Sequence, residues 1–400
     1  MSVGIVEVVS LLLGLNGFGL QANPKAPTAD QALEYAIPEA DLVAHVDAVS
    51  FIPNNYKALT ELIDQPAIKR SPELTKQVKD LVTQIEAPRG LVKGMTGIDL
   101  TTDVWDATLF AQVTRTGEHT GLIAVHGHFA PELLDKIGGM AGHAPVTVGA
   151  ARWLDMGDNK ALALTKDGVL LAGTTVLVKE RIGDAWKTPP HVMGSGLGYA
   201  ADVINQKPVF AVVMTLSPTA RKQILTEHGQ NFGTDLVKRH KAASFAIFHD
   251  GIGWTWVDST KAGMESMAEV SDGLVDTLRA AQIAPRGFAK IVIGGLESYR
   301  GDKQVDELLK HKADIEQLAE TFLGDGKFKV QLDKDPKAFK VTVRLSDRSL
   351  AYVLPLGGLL PMAVFGVLLR GEPAPPPPME QKQIALPAKA VPAPPPAKKK

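Results

Sequence analysis

His126 and His128, flanking Gly127, are the residues in this sequence best spaced for chemistry. On a strand, positions i and i+2 project to the same side, so two imidazoles there could chelate zinc or another transition metal. A third ligand would have to come from elsewhere in the chain, with His143, His249 and Asp250 as candidates. A centre with an open position would activate water and make a metal-dependent hydrolase. The competing reading is two surface histidines at a strand end. His311 falls between Leu308 and Ile315 on an apolar helical stripe and could make a pH-sensitive contact. Gly194–Gly198 is Gly-rich but lacks the Lys-Ser/Thr of a phosphate loop and the G-x-G-x-x-G spacing, so it reads as a loop between domains. Neither a G-x-S-x-G nucleophile elbow nor an H-E-x-x-H pair occurs, and no pattern calls for an organic cofactor. Trp254 and Trp256 share one side of a strand, where they could line a binding surface or pack under a helix.

The elements that would carry these residues alternate between strands and helices. Leu42, Ala44, Val46 and Ala48 alternate as a strand does, and Asn55 can cap a helix to Asp64. Ser71-Pro72 opens a helix with Leu74, Val78, Leu81, Val82 and Ile85 on one face, which Pro88 is expected to end. Strands follow at 107–113 and 121–125, running into the histidine pair, then a short helix from Pro131 to Gly138-Gly139. Residues 146–156, 160–165 and 169–173 read as strands, the last two joined at Asp167-Gly168, with a helix capped by Thr174 or Thr175. The pattern resumes with a strand at 209–216, a helix from Pro218, a hairpin around Asp250-Gly251 and a helix over 264–281. A strand at 288–294, a helix at 304–322 and strands at 327–332 and 339–345 complete the folded part.

Strand, Pro-marked break and amphipathic helix occur at 42–64 and again at 209–228. Strand, turn, strand and helix occur at 161–181 and again from 244 to 281. These echoes suggest a duplicated α+β unit. The expected fold is therefore α+β: two related sub-domains, 28–205 and 206–348, of mixed or antiparallel sheet with helices on one face.

Leu350–Leu369 is twenty residues without a charge, between Arg348 and Arg370. At about 1.5 Å per residue it could span a bilayer core of about 30 Å as one C-terminal transmembrane helix. Residues 1–22 read as a signal peptide with an apolar centre at Val8–Leu15, and residues 371–400 as a Pro- and Lys-rich disordered tail. Together these place the globular part in the periplasm, the anchor in the inner membrane and the tail in the cytoplasm. The expected partners are membrane lipid through 350–369 and an envelope protein. A formal net charge of −1 argues against nucleic acid. The absence of cysteine excludes disulfides, thiolate metal sites and cysteine nucleophiles.

Ala36-Ile37-Pro38-Glu39-Ala40-Asp41-Leu42-Val43, Phe51-Ile52-Pro53, Gly97-Ile98-Asp99 and Val125–Phe129 resemble uncharacterised exported α+β proteins of Gram-negative bacteria, including myxobacteria. The resemblance covers roughly residues 30–350 and implies an envelope location without supplying catalytic residues. The expected function is a non-enzymatic, membrane-anchored envelope protein with a binding or scaffolding domain. The alternatives are the His126/His128 hydrolase and a carrier of apolar ligands.

Overall fold

The computed structural model describes residues 28–51, 61, 63–70, 72–99, 102–113, 119–183, 186–191, 195–227, 237–298, 300–301, 306, 309–324 and 329–346. The signal peptide, the 350–369 span and the tail lie outside these residues, as does most of the helix expected at 56–64. No helix among the described residues is long and apolar enough to cross a membrane.

The fold is α+β, built on one large antiparallel sheet. Its strands, in chain order, are β1 (Leu42–Asp47), β2 (Val104–Val113), β3 (His119–Gly127), β4 (Val146–Val148), β5 (Ala151–Gly157), β6 (Lys160–Leu164), β7 (Val169–Thr174), β8 (Phe210–Thr215), β9 (His240–Phe248), β10 (Gly251–Asp258), β11 (Lys329–Asp335) and β12 (Lys340–Ser346). They form one twelve-stranded sheet in the order β11-β12-β10-β9-β8-β1-β2-β3-β7-β6-β5-β4. The two expected sub-domains therefore share a sheet, and the seam between them is the antiparallel pair β1–β8, with Val43 opposite Val213.

Outward from that seam the two halves repeat one topology. β1-β2-β3-β7-β6 on one side matches β8-β9-β10-β12-β11 on the other, and β5-β4 extends the first half. In each half a hairpin follows the first strand, and a later hairpin joins it through its second strand, β7 or β12. The sequence comparison matched β1 with β8 but set β6–β7 against β9–β10. By topology, β2–β3 is the counterpart of β9–β10.

The helices are α1 (Ala29–Ala32), α2 (Pro66–Arg70), α3 (Pro72–Thr96), α4 (Leu133–Ala141), α5 (Thr175–Ile182), α6 (Gly196–Ile204), α7 (Pro218–Glu227), α8 (Lys261–Ile283), α9 (Pro285–Glu297) and α10 (Lys312–Leu323). They cover both faces of the sheet, not one. On the front, Val43, Phe110, Leu122 and Leu171 pack with α1, α5 and α6 through Leu33, Val178, Ile182 and Leu197. On the back, Ala44, Val46, Ile123 and Val125 pack with α4 through Leu133 and Leu134. Val275 of α8 covers Val343 and Leu345 on the back of the second half. A strand buried on both faces loses the simple alternation that a one-sided sheet shows.

Several local expectations are corrected. Helix α3 runs through Pro88, where the missing backbone N–H leaves one helical hydrogen bond unmade. Beyond the proline, Val92 packs into the back core and Lys93 Nζ lies 2.8 Å from Asp99 Oδ2, holding the last turns. Helix α4 continues past Gly138-Gly139 and ends at Gly142, whose φ of 76° is the left-handed cap conformation. The stretch 146–156 is a hairpin of β4 and β5, not one strand. Residues 288–294 are helical: Pro285 takes a first-turn position, and Ala289 and Ile293, one helical repeat apart, are the buried pair. A short apolar run does not separate strand from helix by periodicity.

Candidate functional site

Two regions of the front face carry the polar groups of interest, and the seam joins them. The first is a buried cluster on β1, β2 and β3. Strand β1 points His45 and Asp47 to the front alongside Val43, and the register places Thr108 opposite His45 and Asp106 opposite Asp47. His126 on β3 sits opposite Asp106. His126 Nδ1 is 2.9 Å from Asp106 Oδ1, and His45 Nδ1 is 2.9 Å from Thr108 Oγ1.

The two imidazoles are driven in opposite directions. Burial lowers the pKa of His126, but the hydrogen bond and charge of Asp106 outweigh it, so the net shift is upward. Burial dominates at His45 and lowers its pKa against the pull of Asp106 and Asp47. The cluster thus favours one imidazolium paired with Asp106 and one neutral ring on Thr108. Asp106 is 2% exposed, His45 3% and Thr108 0%, while the His126 side chain is 14% exposed. His–carboxylate and His–hydroxyl contacts are the parts of a nucleophilic site, but a hydroxyl that nothing can reach attacks nothing. The cluster acts as an internal polar brace.

The histidine pair of the sequence is divided between two environments. His126 is held by Asp106, whereas His128 lies exposed beyond the strand end with its backbone N–H donating to Asp103 O at 2.7 Å. Gly127 between them is needed for close approach, since a Cβ there would stand 2.1 Å from Asp103 O. His143 follows the cap of α4, and His249 and Asp250 form the β9–β10 turn in the other half, where Asp250 Oδ1 accepts from Arg344 Nη2 at 2.9 Å. Among the described residues no three His, Cys, Asp or Glu side chains converge as a metal site.

Other candidates resolve into structure. Ser195 caps α6, its hydroxyl accepting from Gly198 N at 3.0 Å, so the Gly-rich stretch opens a helix on the front face. Trp254 packs under α8 with Val275 and Leu278 on the back. His311 occupies the N-cap position of α10, with Nδ1 3.5 Å from Asp314 Oδ2.

The second region is a groove of about 460 Å³ on the front of the second half. Its floor is small: Ala246, Ser244, Gly253, Thr255 and Thr342 lie on adjacent strands β9, β10 and β12. Tyr199 and Asp202 of α6, with Gln206 just beyond its end, form one wall, and Asp333, Asp335, Lys340 and Arg344 the other. The guanidinium of Arg344 lies 4.5 Å over the Phe248 ring at one end. This volume is in the range of ligand sites, and the lining mixes small and apolar residues with charged groups at the rim.

The groove exists because the halves differ in their helical cover. In the first half α5 leaves β7 directly and lies on the front face, with Val178 and Ile182 against Ala163 and Leu171. In the second half no described helix follows β12, and the groove lies over β9, β10 and β12 on the front. Sequence reasoning singled out His126 but not its partners, and it missed the groove. The signal for the cluster was present in β1, where two polar residues sit at alternate positions of an apolar strand. The groove has no sequence signal, since it depends on which strands become neighbours.

No protein-family model matches the chain, and no curated protein matches it. Among solved structures, one described as crystal form I of TP0453 is similar at 8% identity with a TM-score of 0.31, over 84% of this chain and 99% of that one. A likeness at this level carries no argument about function.

Proposed function

We propose that this protein is a non-enzymatic binding domain of the cell envelope, anchored in the membrane by residues 350–369, and that the groove is where it holds a partner. The observation that carries the reading is the groove over β9, β10 and β12 on the front of the second half, where the first half carries α5 on its equivalent face. A helix-sized seat with small floor residues and a rim of both charges suits a polypeptide segment better than a lipid or a metal-bound substrate. Among the described residues no three His, Cys, Asp or Glu side chains group as a metal site, so the groove is the stronger candidate. The anchor rests on the uncharged run from Leu350 to Leu369.

The test places a photoreactive amino acid at Thr255 on the floor and, as control, at Lys290 on the exposed side of α9. The expected result is a discrete polypeptide adduct from position 255 only, lost when Ser244→Trp fills the groove in a protein that still folds. Equal adducts from both positions, or none from 255, would remove the groove as a partner site. Release of the full chain from membranes by carbonate would remove the anchor.

A further inference from the structure

We propose that the corner between α8 and α9 is a second membrane contact, which seats Ile283 and Ile291 in the lipid interface at the end of the sheet where β12 finishes. The inference rests on the reading of the protein as membrane-anchored and adds the surface by which its folded part meets the bilayer.

The packing of α8 fixes which end of the molecule carries this corner. Near its start, Met264 and Ala268 cover Val341, and further along Val275 covers Val343 and Leu345. Helix and strand therefore advance in the same direction, at about 1.5 and 3.4 Å per residue. Leu278 still packs in the cluster that holds Leu345, one residue before β12 ends at Ser346. From Leu278 to Ile283 the helix runs about 8 Å further, past the end of the strand. β12 thus finishes at the end of the molecule where α8 turns into α9. In the sequence the uncharged run begins at Leu350, four residues after Ser346.

The side chains at the corner suit a lipid interface. Ile283 is 82% exposed and Ile291 75%, so two large apolar groups stand in water when no lipid is present. In α9 the buried residues are Ala289 and Ile293, and Ile291 lies about 200° round the helix from each, on the outer face. Gly287 and Gly294 beside it add no side chain, and α9 is open around Gly294. From Thr277 to Leu296 the chain carries Arg279, Arg286 and Lys290 and no acidic residue. Asp276 pairs with Arg279 and Glu320 with Arg286, so Lys290 supplies the excess positive charge. Asp250, on the β9–β10 turn at the same end, is paired with Arg344 at 2.9 Å. Exposed apolar residues with cations and no uncompensated acid are the composition of a helix that lies in an anionic lipid interface. Its place at the end of β12 is what selects lipid over a protein partner.

The absence of native cysteine lets single labels report single positions. Ile283→Cys and Ile291→Cys are introduced separately into the full chain, with Lys337→Cys as control on the β11–β12 turn at the opposite end of the sheet. Each is labelled with a nitrobenzoxadiazole dye and reconstituted in vesicles of phosphatidylcholine and phosphatidylglycerol, with or without lipid carrying an acyl-chain nitroxide. Nitroxide quenching at 283 and 291 should exceed that at 337 by about threefold or more. Quenching no greater than at 337 overturns the proposal. A blue shift at 283 that grows with protein density and is not quenched by nitroxide assigns the corner to a second copy of the chain, and also overturns it. In a second measurement the dye is placed at Gly287→Cys, with and without Ile283→Asp and Ile291→Asp. The two aspartates should lower its quenching about threefold or more, and unchanged quenching would show that the isoleucines do not hold the corner in lipid. The two readings fail separately. A quenched corner in a chain that carbonate strips from the vesicles removes the anchor and leaves the contact. A carbonate-resistant chain with an unquenched corner keeps the anchor and removes the contact.

Discussion

His240 should make this fold acid-sensitive, by an amount that follows from its surroundings. The ring is 6% exposed and lies 4.6 Å from the Trp256 ring, and Nδ1 has no hydrogen-bond partner. Arg221 is packed beside it, donating from Nη2 to His240 O at 2.8 Å and from Nη1 to Val237 O. Burial is the main reason that its pKa falls from 6.5 to about 4, and the Arg221 charge adds to it. The folded pKa lies below the unfolded one, so below pH 6.5 the unfolded chain binds more protons. The stability is therefore fully present above pH 6.5 and is lost as pH falls toward 4. A fall from pH 7.5 to 4.5 should cost about 2.5 kcal/mol through this residue, approaching about 3.4 kcal/mol at still lower pH. Other groups also lose stability in acid, so the readout is a difference. Urea unfolding of the full chain at both pH values is compared with that of His240→Phe and His240→Gln. The variants should lose less stability on acidification, by roughly 2 kcal/mol. An identical acid loss in all three proteins would show that His240 is not held neutral by burial, and the reasoning would fail.

The buried pair gives the opposite pH dependence. Asp106→Asn should destabilise by about 3–5 kcal/mol near pH 6, because it leaves His126 without its counter-charge. The penalty should shrink as pH rises through the raised pKa of His126, since the pair stabilises fully only below 6.5; denaturation at pH 6 and pH 9 checks this. Gly251→Ala should cost more than about 2 kcal/mol by thermal melting, because its Cβ would stand 1.9 Å from Leu345 O in the neighbouring strand and backbone must move. Pro88→Ala should stabilise by about 1–3 kcal/mol in urea, since α3 is helical on both sides and the substitution restores a backbone hydrogen bond. A loss of stability there would mean that the helix depends on its proline.

Most strands of the described core were legible in the sequence because their signals are local. β1, β2, β3, β6, β7, β8, β9, β10 and β12 each follow an apolar run bounded by turn residues. Asp167-Gly168 joins β6 to β7, with Gly168 at a φ of 79° that few residues other than glycine adopt readily. Helix α5 starts where Thr174 was expected to cap it, though the Thr174 hydroxyl makes no cap bond, and α8 begins earlier than the expected 264, where the Thr260 hydroxyl accepts from Gly263 N at 3.0 Å. Element type failed where the local signal was short, as at residues 288–294. Element ends failed where tertiary contacts outweighed a breaker, as at Pro88.

What the sequence determined by itself was the alternation of strands and helices, the repeat of β1 in β8 and the unusual apolar run after Ser346. Tertiary structure alone decided what the polar residues do. It set Asp106 beside His126 and Thr108 beside His45 in the interior, left His128 outside, and made β9, β10 and β12 the neighbours that floor the groove. The physical reason is that backbone propensity and hydrophobic period act over a few residues. Strand register acts between residues far apart in the chain, and it is register that decides which side chains meet.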